Sequence, residues 1–598
     1  MAGTKESETL QTERSLGYRS TISRVLAIPE LLDMIFSYGT KATNATCACV
    51  CKRWSEVALD NLWREVDDLC CLFGLLAPLE ERAGPYVVSY VCTRAFCSKF
   101  SLTGYLYLQH FSRVPTQADW TRFSFYSRRV RSLTYNDNHY RLQLHESVFN
   151  DVARTRTTLV ILPNLRHLAW LTLAPQMKHY HTLFMHENVT ELEVHLMGNN
   201  DDYNVSHQVS DIVGRMPSLV KLEFDVHGDM SLVESATLKL FRELTKLESV
   251  TLSKKCLTPS VLLQLSKLPT LGVIQFPTYG PQQTNEVPPL AVTLHEGAFP
   301  ALWDLSLCSN LEGIKSFLFG DAHFSRLTSL YVECRNVETP ASVHEFLSAL
   351  VDRYPDLKRF DIDITIQQAD QEQCELLSFE TIRPLLSLKK LETLEVRHNH
   401  PLIVSEDNIA ELAMALPDIQ DLILNCEPFS LDRPSITLGA LLSIAHYCRK
   451  IRNIGLYLDA TSVDTLPTIG AAQFATSFRT LNLGVSPIGF DKVPVALFLS
   501  QLLASRQGPI ELQFGVTWDD VLTDDHYKRT VFDCCERWDE VAKMLPLLIR
   551  LRQEEHDHRR SIEREVEDLR MRNDVLAEYS RLRGYQAKRF SMQGCVVA

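Results

Sequence analysis

The sequence has no run of about 18 apolar residues that could cross a bilayer, and its opening, MAGTKESETLQTERS, lacks the apolar stretch of a secretory signal. It has no C-x-x-C pair, so its 16 cysteines offer no tetrahedral zinc ligand set. Cys47, Cys49 and Cys51 alternate, while Cys70/Cys71 and Cys534/Cys535 are adjacent. In a reducing compartment such residues are free thiols. Long basic runs are also absent, and a formal net charge of -13 suits a phosphate backbone poorly. No G-x-G-x-x-G, G-x-x-x-x-G-K-[ST], H-E-x-x-H or G-x-S-x-G occurs. His179, His181 and His186, like His556 and His558 around Asp557, read as scattered surface histidines. These absences lead us to expect a non-catalytic protein of the cytoplasm or nucleus, with no metal, no cofactor and no nucleic-acid partner.

What is present is an ordinary soluble composition, 45% hydrophobic and 23% charged over 598 residues, too long for one core. Large apolar residues crowd into LAIPELLDMIFSYGTKATNATCACVCKRWSEVALDNLWREV, residues 26–66. Pro29 suits the first position of a helix and Glu30 its positive end. Leu31, Leu32, Ile35 and Phe36 follow as a stripe ending near Gly39. Thr43 or Asn44 can cap a second helix carrying Cys47, Ala48 and Val50, and a third runs from Trp54 to Trp63. Three short helices cannot bury all of this surface among themselves, so part of it is expected to meet another protein.

In order and spacing, IPELLDMIF, VCKRW and LW resemble an F-box, the adaptor-binding module of cullin-RING ubiquitin ligases. The resemblance implies docking on a Skp-family adaptor, and through it on cullin and RING subunits. Carried over by position, Ile28 and Pro29 match the leading Leu-Pro, Leu31, Leu32 and Ile35 the helix-one contacts, and Val50, Cys51, Trp54 and Trp63 the later apolar positions. Ile28 stands where the family usually has Leu, and Asn44 and Ala45 where it favours aliphatic residues.

Farther along, an apolar residue is followed three and then five positions later by two more, as in MPSLVKLEFDV, LTKLESVTL and LKKLETLEVRHN. The first positions are Leu165, Val189, Leu219, Leu247, Leu271, Leu302, Leu327, Leu357, Leu391, Ile419 and Ile451. The steps range from 24 residues (Leu247 to Leu271) to 34 (Leu357 to Leu391). Each L-x-x-L-x-L predicts a short strand with alternate side chains turned inward, returning through a helix or turn. One unit cannot bury its apolar side, but a stack shares a core. The pattern resembles a degenerate leucine-rich-repeat solenoid; Leu302–Asn310 and Leu391–Asn399 satisfy the fuller form, whose Asn bonds the turning backbone in that family. The array begins near Val130, Leu133 and Tyr135, and YGPQQTNEVPPL, 279–290, reads as a surface loop.

The register sets Glu191, Glu193, Glu223, Asp225, Asp304, Glu333, Asp361, Asp363, Glu395, Asp421 and Asp459 on the exposed strand face, against Lys221, Arg359 and Arg397. Glu193, Glu223, Asp225, Asp304, Asp361, Asp363 and Glu395 are the candidate substrate contacts. Such a face suits a basic protein segment. From about residue 536 a long helix follows, with Ile562, Val566, Leu569, Asn573 and Leu576 stepping like a coiled-coil seam, although a cap on the repeat array is the expected role. The final CVVA has the form of a prenylation signal with Cys595 as acceptor, which would add peripheral membrane association.

The expected class is therefore α/β: a disordered tail at 1–20, a three-helix F-box module at 21–80, a helical linker at 81–120, a repeat solenoid at 121–515, a helical cap or short coiled coil at 516–590, and a tail at 591–598. The expected function is substrate recognition for a ubiquitin ligase of the SCF type. The alternative is an F-box binding or scaffold protein without a ligase role.

Overall fold

A computed structural model describes residues 26, 28–90, 102–136, 143–172, 174, 176–198, 204–228, 230–277, 290–366, 374–462, 472–503, 510–517 and 525–593. The N-terminal tail, most of the Pro-rich stretch and Cys595 with its CVVA signal lie outside them. The chain divides into two compact units, Met1–Leu327 and Thr328–Ala598, so the division falls inside the repeat array.

In the N-terminal unit, Pro29–Ser37 (α1), Lys41–Ala48 (α2) and Lys52–Arg64 (α3) form the helical module. Pro29 opens α1 as its sequence requires. The cap of α2 is Thr40, whose side chain accepts from the Thr43 amide, and not Thr43 or Asn44. Asn44 is instead buried inside α2, where its Nδ2 adds a second donor to the Phe36 carbonyl at the end of α1, which also accepts from the Gly39 amide. A polar residue at this apolar position thus closes a helix end. Val50 and Cys51 lie in the turn between α2 and α3 and are exposed.

The module runs directly into the repeats. The strand β1 (Glu65–Val66) starts where α3 stops and pairs in parallel with β4 (Ser132–Asn136), so the array begins one strand earlier than the sequence pattern suggests. Between them, where a helical linker was expected, β2 (Leu79–Tyr90) and β3 (Leu102–Phe111) form an antiparallel pair. Segments such as PYVVSY and LTGYLYL are rich in the β-branched and aromatic residues that favour strands. Among the described residues of the expected linker the helical part is Gln117–Ser127, which opens with a Thr116/Asp119 capping box. Arg129 bridges this region to α3 through Glu56 and Asp60, and Trp63 packs on Tyr126 with the rings tilted by 54° and their centroids 5.3 Å apart.

After β5 (Gln143–Leu144), which extends the β2/β3 pair, the parallel strands continue as β6 (His167–Leu171), β7 (Glu191–Gly198), β8 (Lys221–Gly228), β9 (Ser249–Leu252), β10 (Val273–Gln275) and β11 (Asp304–Cys308). The L-x-x-L-x-L reading holds residue by residue: Leu219, Leu222 and Phe224 are buried, as are Leu247, Val250 and Leu252. Capped helices return the chain, for example Val205–Arg215 behind Asn204 and Pro259–Leu265 behind Thr258. Each unit is pinned to the one before by the same backbone bonds; the amides of Thr190 and Glu191 share the Arg166 carbonyl, and those of Val220 and Lys221 share Thr190.

The C-terminal unit repeats the scheme in β12 (Ser329–Glu333), β13 (Arg359–Ile364), β14 (Thr393–His398), β15 (Asp421–Leu424), β16 (Asn453–Leu456), β17 (Thr480–Asn482) and β18 (Glu511–Gln513), paired in parallel and in order. Asn399 is buried and bridges to the previous repeat, accepting from the Ile366 amide and donating to its carbonyl. Asn425 likewise bridges to the repeat before it, accepting from the His398 amide and donating to the His400 carbonyl, and Ser486 does so through the Leu458 amide and the Leu456 carbonyl. Asn310 departs from this pattern, being an exposed helix cap that accepts from the Gly313 amide.

The last helix spans Asp525–Gln593. Its beginning covers the apolar end of this unit as expected of a cap: Tyr527, Val531 and Cys535 join Tyr457 and Val485, and Trp538, Val541 and Leu545 are buried. No described helix is long and apolar enough to cross a membrane.

Candidate interaction surfaces

The core of the helical module is small. Leu32, Phe36 and Ala58 fill it, with Trp54 and Val57 packed alongside and the Trp54 ring edge-on to Phe36 at 5.5 Å. Leu32 is completely buried, so this expected contact residue holds the helices together and offers no surface. Trp54 and Trp63 are half-buried by their neighbours within the chain.

The other expected residues do form an outer surface. Ile28, Pro29, Ile35, Val50 and Cys51 are exposed, and Leu31 is partly so. Leu31, Ile35 and Tyr38 follow one another at helical spacing along α1. Ile35 is 48% exposed, Met34 59% and Tyr38 89%. Sequence reading missed Met34 and Tyr38; their amphipathic angle on α1 was the available signal. This face is an apolar patch on a module whose own core is already full, the arrangement of one half of an interface.

The family model for an F-box-like domain matches residues 29–68. The chain carries an F-box-like domain ahead of leucine-rich-repeat-like units. A similar solved structure is the leucine-rich repeat-containing protein LegL7 from Legionella pneumophila, 16% identical, covering 53% of this chain and 90% of that one at a TM-score of 0.29. So loose a similarity adds nothing to the repeat geometry itself. No curated protein matches the chain.

The strand face of the repeats is acidic in both units, but its carboxylates differ in their partners. In the N-terminal unit Glu193 on β7 lies in register beside Glu223 on β8. Both are half-buried, and neither accepts a hydrogen bond from a described residue. Burial raises both carboxyls above the usual range, Glu223 raises Glu193 further, and Lys221 draws both back. Asp225 lies in register with His195 on the same face. Asp304, by contrast, is buried and accepts from Gln275 Nε2 at 2.6 Å, so it belongs to the sheet and not to the surface.

In the C-terminal unit the acids are answered from within. Glu333 is paired with Arg335, Asp361 with Arg359 at 2.7 Å, and Glu395 with Arg397 at 2.5 Å. Asp363 accepts from the Thr365 amide and hydroxyl, and Asp459 is bound by Thr461 and Arg433. Sequence reading counted Arg359 and Arg397 but missed Arg335 and Arg433, which follow the strands at loop positions. Burial lifts Asp361 to about 6 even against Arg359, and burial with neighbouring Glu333 pushes Asp363 in the same direction. The surplus negative charge is therefore greatest around Glu193 and Glu223.

Burial and Asp68 push Cys70 up to about 12 and Cys71 up to about 11, far from the thiolate range. Among the described residues no cluster of His, Cys, Asp and Glu is gathered as metal ligands. His181 is buried, and that burial lowers it to about 4, while His186 Nε2 lies 2.9 Å from the Leu162 carbonyl. Of the three histidines of this cluster read from the sequence as surface groups, His181 and His186 are buried and His179 is exposed.

Proposed function

We propose that this chain is the substrate-recognition subunit of an SCF-type cullin-RING ubiquitin ligase. The observation that carries the reading is the exposed apolar face of Ile28, Ile35 and Tyr38 along α1 of an F-box-like module, with Val50 also exposed in the turn after α2. A Skp-family adaptor covering that patch would link the chain to cullin and RING subunits. The strand face would hold a protein target through a basic segment, with Glu193, Glu223 and Asp225 as its principal contacts. Ubiquitin transfer itself belongs to the recruited conjugating enzyme. The contribution of this chain is positioning, which by itself can remove much of a bimolecular barrier, and no residue here acts as a catalyst.

The second reading is a binding or scaffold protein that engages the adaptor or its target without ubiquitylation. The two differ in the fate of the target. In cells carrying Ile35→Asp in the full chain, a bound target is expected to remain bound and to accumulate, with its half-life lengthened severalfold. A target whose ubiquitylation and half-life are unchanged by the variant would overturn the ligase reading in favour of the scaffold.

A further inference from the structure

The C-terminal helix has two parts with different surroundings. Up to Arg552, whose Nε donates to Ser500 Oγ at 2.8 Å, it packs on its unit. From Glu554 to Arg581 every described side chain is exposed. A helix polar on all sides would need no explanation there. This one carries Ile562, Val566, Leu569 and Leu576, between 41% and 62% exposed, on a single seam. Capping the repeats accounts for Tyr527 to Leu545 and leaves this seam without a role.

We propose that this segment pairs in parallel with the same segment of a second copy of the chain. The steps of four, three, four and three place Ile562, Leu569 and Leu576 at d positions and Val566 and Asn573 at a positions. A β-branched residue at a with Leu at d favours two parallel strands, and one Asn at a selects that state and its register at a cost in stability. The flanking charges point to the same occupant. In a parallel pair each g position faces the e position five residues later on the other helix. Glu565 at g then faces Arg570 of the other helix, and by symmetry this pair forms on both sides of the seam, so the identical helix supplies opposite charge. An antiparallel copy would set g against g and e against e and would lose this match. Within one chain Arg570 has only a loose contact to Glu567 at 3.8 Å, which leaves it available. Because the seam is short, association is expected to depend on concentration.

Sedimentation of the purified full-length chain tests this. The wild type is expected to shift with concentration from the monomer mass to twice that mass. Leu569→Lys should remain monomeric throughout, with the fold of its unit intact because the side chain is 55% exposed and lies beyond the packed part of the helix. Glu565→Arg should weaken the dimer at least about tenfold, since it creates two like-charge pairs per dimer. Adding Arg570→Glu should restore it. A wild type that stays monomeric, a dimer indifferent to Leu569→Lys, or a charge swap that fails to restore association would each overturn the parallel pairing.

Discussion

Trp538→Ala is expected to destabilise the C-terminal unit by about 3–5 kcal/mol, the usual cost of removing a buried aromatic side chain. Trp538 is completely buried, and its Nε1 donates to the Ser486 carbonyl at 2.8 Å. Ser486 in turn holds the neighbouring repeat through the Leu458 amide and the Leu456 carbonyl. The substitution therefore opens a cavity and leaves a buried carbonyl without its donor at the point where the helix closes the array. Repeat arrays need their last apolar side covered, so the loss should spread inward from β17 and β18. Chemical denaturation of the full chain, with hydrogen exchange to localise the loss, checks this. Trp538→Phe should recover most of the packing and none of the hydrogen bond, and Leu551→Ala, at an exposed position on the same helix, should have almost no effect.

The second large effect concerns charge. Reversing both Glu193 and Glu223 to Lys is expected to weaken binding of a Lys/Arg-rich peptide on the order of 100-fold, because attraction becomes repulsion where two carboxylates in register face one nearby cation, Lys221. Glu243→Lys, a charge reversal of the same kind at one exposed helix end, should alter binding little. Binding requires the ionised carboxylates. Since burial raises both groups, affinity should begin to fall at a higher pH than an exposed glutamate, near 4.3, would dictate. The same shift bears on stability with the opposite sense. A folded-state carboxyl raised above its unfolded value favours the folded state as pH falls, so Glu193→Gln should stabilise the protein at neutral pH and lose that advantage in mild acid. A fluorescence titration at several pH values separates the two effects.

The repeats were legible because their physics is local. Leu219, Leu222 and Phe224 point inward for the same reason in every unit, and a fixed offset repeated along the chain cannot be hidden by variable return segments. The F-box-like segment was legible because Pro29 and the spacing of its apolar residues are constraints of helix entry and packing. What stayed hidden depends on neighbours distant in sequence. Nothing in Asn44 announces that it will reach the Phe36 carbonyl, and Leu32 and Ile35 look alike until Ala58 packs against only the first. The acidic face was overstated because Arg335 and Arg433 arrive from loops, outside the strand pattern that was being counted. The Asn ladder was visible at Asn399 by spacing, but Asn425 and Ser486 perform the same bonding at other offsets. The β2/β3 pair was missed through the length of the segment joining the module to the repeats, although its β-branched and aromatic content was a usable signal.

The fusion of α3 to β1, the Arg129 bridge and the Trp63–Tyr126 contact make the F-box-like module part of its unit, so adaptor binding is best measured on the whole chain. The decisive measurement is the affinity of the full-length protein for a purified Skp-family adaptor, wild type against Ile35→Asp and Tyr38→Asp. We predict a stable wild-type complex and at least about a 100-fold loss in Ile35→Asp, as expected for a charge placed in an apolar interface centre, with the melting of both variants unchanged because both side chains are exposed. A folded wild-type protein that does not bind the adaptor, or binding that survives both substitutions, would contradict the assignment of this face and with it the receptor role.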